Sequence, residues 1–200
     1  QVLAVERLEG AAGEDAANPA GRLVNNLVIM GMGEPLANSD NPLTALKILN
    51  APWGGGIGAR KITISTSGLA PQIRRLAEEP LQFRLAISLH APTAERRLAI
   101  MPIEKKYDLK AVLDAAAAFR KRITFEYVMI SGKNDSDQDA DALAALAHKH
   151  GALVNLLPLH PGGAPGLEPT PSNKIKNFAG RLQARGVEAV FVANRHYDRA

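Results

Sequence analysis

The chain predicts an α/β fold, a partial (β/α) barrel of about six parallel strands, and three observations predict it. Apolar, β-branched runs recur at 23–30, 61–66, 83–89, 123–130, 153–159 and 187–193. Helical patterns fill the gaps at 41–50, 71–79, 109–121, 137–149 and 172–185, and strands alternating with helices build a parallel sheet through right-handed crossovers. At 200 residues with 46% hydrophobic content, the chain buries one sizeable core, so residues 1–200 are expected to form a single domain. A doubly wound sheet fits the same alternation; the barrel is the preferred reading.

Residues 1–9 place Val2, Val5 and Leu8 on one face of a short helix. The Gly, Asn and Pro of 10–21 end it and form a mobile linker. Asp137 and Ser172 are expected as N-caps, with Gly151 and Gly186 just past the ends of their helices. Residues 93–100 read as a weaker helical turn. The glycines of 54–58 before Arg60-Lys61 resemble a phosphate loop only superficially. The Gly-Lys-Ser/Thr ending is missing and a strand follows, so a flexible entry to that strand is expected.

A formal charge of +4 and a pI near 9.5 permit an anionic partner such as RNA, although such an excess is also an ordinary solubility device. The pairs Arg74-Arg75, Arg96-Arg97, Lys105-Lys106 and Lys121-Arg122 read as solvated faces, and so do His148 and His150, which point apart on one helix. No apolar run reaches the length of a membrane span, and the N-terminal residues lack a secretory pattern, so a cytoplasmic protein without membrane attachment is expected. The cysteine count is zero. That excludes disulfides, thiolate nucleophiles and any thiolate-bound zinc or iron-sulfur cluster within this chain.

Strands of a covered parallel sheet are normally apolar on both parities, and three of these are not. If Ile62, Ile64, Leu85, Ile87, Leu89, Phe125 and Tyr127 face the helices, then Ser65, Ser67, Ser88, His90 and Glu126 face the barrel interior near the carboxyl strand ends. Barrel enzymes place their sites there. Any one of these residues is more simply a locally bonded hydroxyl or a satisfied core histidine; their convergence on one rim reverses that judgement. The first strand runs into Gly31-Met32-Gly33-Glu34-Pro35. Glycines there let the backbone approach a ligand, Glu34 supplies a negative charge suited to an amine, and Pro35 stiffens the turn.

The blocks NLVIMGMGEPLAN, IGARKITISTSGLAP, LAISLHAPTAERRLAIMPIEKKYDL, ITFEYVMISGKNDS and VNLLPLHPGGAPG together resemble the RlmN and Cfr family of radical S-adenosylmethionine RNA methyltransferases, in order and nearly in wording, across almost the whole chain. The resemblance implies that S-adenosyl-L-methionine is held by Gly33, Glu34, Ser65, Ser88, Leu89 and His90. The family's PxNP asparagine is replaced by His160, which can still exchange one hydrogen bond. It implies methylation of an adenine carbon in 23S rRNA, carbon 2 being favoured over carbon 8, with tRNA open as a further substrate and a monomeric state expected. A [4Fe-4S] cluster held by three cysteines would cleave the cofactor, and a cysteine near the C-terminus would carry the methyl group. This chain, without cysteine, is not able to bind that cluster.

The CxxxCxxC loop is expected just before Gln1 and the methyl-carrying cysteine beyond Ala200, so truncation at both ends, with the first strand and cluster loop missing, is the favoured explanation. The tail of 192–199 matches the family poorly. Such a fragment should not turn over. Two other classes compete: a metal-dependent barrel hydrolase using His90, His160, Glu34 and Glu126, and a non-catalytic RNA-binding scaffold.

Overall fold

The computed structural model describes residue 2 and residues 24–119, 122–160 and 164–191. The expected N-terminal helix other than Val2, the linker after it and the tail of 192–200 lie outside the described residues. Six strands form one sheet: β1 (Leu27–Ile29), β2 (Ile62–Thr66), β3 (Arg84–Ser88), β4 (Thr124–Met129), β5 (Leu153–Pro158) and β6 (Ala189–Phe191). Every neighbouring pair is parallel, and the order across the sheet is the order along the chain. A doubly wound sheet reverses its order at a switch point. This one never reverses, so its crossovers, all of one hand, carry the helices to the same side and leave the other face open.

Burial follows that geometry. Ile62, Ile64, Leu85, Ile87, Phe125, Tyr127, Val154 and Leu156 are all buried on the helix-bearing face. On the opposite parity Val28 and Val190, at the two sheet edges, are 53% and 44% exposed. The helices are α1 (Asp40–Asn50), α2 (Ala70–Ala77), α3 (Ala94–Ile100), α4 (Leu109–Ala116), α5 (Asp137–His150) and α6 (Ser172–Ala184).

The starts of α5 and α6 correct the expected caps. Ser136, not Asp137, caps α5: its hydroxyl accepts from the Asp139 N–H while the Asp139 carboxylate accepts from the Ser136 N–H, which satisfies two orphan donors reciprocally. Pro171 rather than Ser172 precedes α6. Gly151 ends α5 at φ +58, as its position suggested. Helix α4 stops short of 121 because its last turn tightens, with the N–H groups of Ala118 and Phe119 donating to Ala115 and Ala116 three residues back.

The glycine segment after α1 is not a flexible entry. Gly54 and Gly56 donate to the Ala51 carbonyl at 2.9 and 3.0 Å, Ile57 donates to Leu49 at 2.9 Å, and Asn50 Nδ2 donates to the Ile57 carbonyl at 2.8 Å. A Cβ on Gly54 would lie 1.9 Å from the Ile48 carbonyl oxygen, whereas one on Gly58 meets nothing within 4 Å. Gly54→Ala should therefore cost about 1–3 kcal/mol in thermal or denaturant unfolding, while Gly58→Ala should be neutral or slightly stabilising; equal effects would contradict the packed turn.

Candidate functional site

The chain leaves β1 through a loop whose glycines, Gly31 and Gly33, take φ of +48 and +105. Neither would clash through an added Cβ, so what the loop needs from them is left-handed backbone, not space. That path swings Glu34 over the end of β2. Its Oε1 accepts from the Leu36 N–H at 2.9 Å. Its Oε2 accepts from both the N–H and the hydroxyl of Ser67, at 2.7 Å each.

Beneath this clamp lies a buried cation. Arg97 on α3 is fully enclosed and paired with Glu104. One guanidinium nitrogen donates to the Ser67 carbonyl at 2.5 Å and approaches the Ser88 carbonyl at 3.5 Å. Glu104 in turn accepts from the Leu109 N–H at 2.7 Å, which fixes the start of α4. Gly68 makes room for the guanidinium: at φ +112, its Cβ would lie 3.2 Å from Arg97 Nη2 and 2.8 Å from Val112 Cγ2. The reading of Arg96-Arg97 as a solvated pair is thus corrected. Arg97 is core, and Arg96 is tied to Asp139 at 3.0 Å. The pattern gives no warning of this, since Leu98 beside it is 42% exposed.

Between the glycine loop and the ends of β2 and β3 lies a cleft of about 390 Å³, lined by Gly31, Gly33, Glu34, Ser65, Ser67 and Ser88 among others. This is within the size range of small-molecule sites. The cleft unites four of the residues singled out from the sequence, Gly33, Glu34, Ser65 and Ser88. Leu89 is fully buried in the core, so only its backbone is available to a ligand. His160 follows β5 at the same end of the sheet, is exposed, and does not line the cleft.

His90, two residues past Ser88, does not line that cleft and takes φ +55. Its Nδ1 accepts from the Val128 N–H at 3.1 Å, which leaves the proton of the neutral ring on Nε2. Asn134 holds the residue in place: its Nδ2 donates to the carbonyls of His90 at 2.7 Å and Val128 at 2.6 Å, and its Oδ1 accepts from Ile130 N–H at 2.8 Å. Burial, followed by the charge of Arg97, lowers the imidazole pKa to about 4, against an opposing hydrogen bond with the Glu126 backbone. On the next strand Glu126, 8% exposed, accepts from Asn155 Nδ2 at 2.8 Å. Its pKa is raised, chiefly by burial.

Among the described residues no group of three or more His, Cys, Asp or Glu could hold a metal ion, which removes the geometric basis of the hydrolase reading. Other basic side chains are engaged in ion pairs, Arg75 with Asp40 and Arg122 with Glu188, each at 2.5 Å. His150 is not simply solvated but sets its ring edge-on to Phe125, centroids 6.4 Å apart.

A glycine-lined, one-sided cleft at the carboxyl ends of parallel strands places the chain in the class of barrel-type α/β proteins, which carry their sites at that end, and comparison with known proteins narrows it. The family model of the radical SAM superfamily matches residues 15–147. A probable dual-specificity RNA methyltransferase RlmN of Gemmatimonas aurantiaca is 50% identical over 173 residues, covering 86% of this chain and 48% of that protein. The dual-specificity RNA methyltransferase RlmN of Syntrophotalea carbinolica is 41% identical over 179 residues, covering 88% of this chain and 48% of its own. A solved radical SAM methyltransferase from Sphaerobacter thermophilus superposes with a TM-score of 0.82 at 41% identity, covering 92% of this chain and 55% of that one. A domain of pyruvate-formate lyase-activating enzyme from Bacteroides vulgatus, 18% identical with a TM-score of 0.63 over 85% of this chain and all of that one, shares the fold. The chain belongs to the radical SAM superfamily and, within it, to the RlmN-like methyltransferase family. It spans about half the length of the relatives it matches.

Two measurements test the site's framework. Arg97→Met leaves Glu104 charged and buried without its partner, so unfolding should show a loss of about 3–5 kcal/mol, larger than that of a surface variant such as Arg122→Met. His90 is held neutral, with a folded pKa below the unfolded value; its contribution is complete above pH 6.5 and is lost as pH falls toward 4. The wild-type chain should lose on the order of 2 kcal/mol across that window relative to His90→Asn, which tolerates the left-handed backbone; parallel pH profiles would contradict the assignment.

Proposed function

We propose that this chain supplies the cofactor-binding sheet of an RNA methyltransferase, and that its cleft binds S-adenosyl-L-methionine. The observation that carries the reading is the convergence of Gly33, Glu34, Ser65 and Ser88 on one cleft in a chain of this family. The cofactor fits the donors and acceptors present. A carboxylate has about four acceptor sites, and Glu34 commits three to Leu36 and Ser67, which leaves one for the ligand's ammonium. The peptide of Gly33 approaches the same end without a side chain in the way. The hydroxyls of Ser65 and Ser88 take the ligand's carboxylate and hydroxyl groups, the backbone of Leu89 adds a contact, His90 offers an Nε2–H donor, and His160 contributes from the β5 end. When bound, the cofactor supplies an electrophilic sulfonium; the residues around it orient it and exclude water.

The [4Fe-4S] cluster of radical SAM chemistry does not fit this chain, which offers no thiolate. These residues supply no radical step, and the chain by itself should not turn over. For the complete enzyme the proposed substrate is an adenine of 23S rRNA at carbon 2, with tRNA as a further substrate, in keeping with the dual-specificity RNA methyltransferases among its relatives; a cytoplasmic monomer is the proposed setting.

Calorimetric titration of S-adenosylmethionine into the chain should give saturable binding. Glu34→Gln, which keeps the shape and removes the charge, should weaken it roughly tenfold, the worth of one charge-assisted hydrogen bond. Zinc should give no heat. No saturable cofactor binding, with salt-dependent RNA binding retained, would replace this reading with the scaffold one.

A further inference from the structure

The concave sheet face carries a polar row that the cleft only begins. Ser65 is level with Ala86 and Thr66 with Ile87, so Ser67, one step on, is level with Ser88. Ser88 is level with Glu126, and Glu126 with Asn155. Alternation puts all four on the face opposite the helices. Neighbouring strands lie about 4.8 Å apart, so the row from Ser67 to Asn155 is about 14 Å long. Glu34 is bonded to one end of it.

The far end is underbonded. Glu126 is 8% exposed, and among the described residues its carboxylate accepts from Asn155 Nδ2 alone, through Oε2. Asn155 Oδ1 is enclosed with no partner. A buried carboxylate normally gathers several donors, and each exception calls for an explanation. An enclosed acceptor without a donor among the described residues, Asn155 Oδ1, next to a buried carboxylate with a single donor, fits a ligand that brings donors of its own.

We propose that Glu126, oriented by Asn155, is a binding residue for the hydrogen-bond donors at the nucleoside end of the ligand, so that the row fixes the ligand's direction across the sheet with its ammonium at Glu34. This rests on the cofactor reading of the cleft and adds to it a recognition residue on β4 and a positioning residue on β5. The donor chemistry is shared by a ribose hydroxyl and the exocyclic amine of adenine. Burial, which disfavours the bare carboxylate, gives such a donor more to offset than it would at the surface.

The test is calorimetry on the full chain with S-adenosylhomocysteine, with its 2′-deoxy analogue and with its analogue lacking the exocyclic amine. Glu126→Gln should weaken S-adenosylhomocysteine roughly tenfold, and one of the two analogues should weaken wild type by a similar factor. Combining that analogue with Glu126→Gln should add no further loss, since both delete the same bond. Asn155→Leu, which leaves Glu126 unanchored, should weaken the same ligand while its melting temperature stays near that of wild type. A 2′-deoxy effect assigns the hydroxyl, and a deamino effect assigns the amine. If wild type binds both analogues as tightly as the parent compound, the inference is overturned, whether or not the variants fold. If wild type binds none of the three, the cofactor reading itself fails and takes this inference with it.

Discussion

Arg97 is the constraint on which the rest of the site depends. A guanidinium with no solvent contact is tolerated only if its charge is matched; its Nε has no partner among the described residues, and holding its two terminal nitrogens fixes four things at once. Glu104 must lie against it, Gly68 must lack a side chain, and the carbonyls of Ser67 and Ser88 must turn inward. The ends of β2 and β3 are thereby held together from below. Glu34 then grips Ser67 from above, so the rim on which a ligand would rest is fixed from both sides.

The fold makes such a rim useful by leaving one sheet face free. With strands in chain order and crossovers of one hand, all the apolar parity is spent against the helices, and the other parity is released from packing. Serines, a glutamate and an asparagine can occupy it without opening a hole in the core. His90 shows the same economy: its backbone takes a left-handed turn held by Asn134, which lets one imidazole nitrogen satisfy the Val128 N–H while the other carries the proton.

Much of this was legible in the sequence because it depends on periodicity. β-branched runs marked the strands, polar parity marked the concave face, and Gly31, Gly33 and Glu34 marked the loop. What was not legible depends on partners distant in sequence. Arg97 looks like half of a solvated pair, because nothing local announces that Glu104, Ser67 and Ser88 will surround it. Asn155 sits in an apolar run, and only the strand register brings it to Glu126. The cap of α5 was misplaced by one residue because a serine with an acidic residue three positions on outcompetes the aspartate between them, and that of α6 because Pro171 takes the cap position with no side-chain bond. The glycines of 54–58 suggested looseness, whereas Gly54 is there because the Ile48 carbonyl leaves no room for more.

The central claim is that the cleft above Arg97 is a nucleoside-sulfonium site with a fixed direction. A crystal structure of the chain grown with S-adenosylhomocysteine tests it most directly. The account predicts the ligand's amino group against Glu34 and its nucleoside extending over Ser88 toward β4. Density for the ligand on the helix-bearing side, or in the cleft with the nucleoside at Glu34, would contradict it.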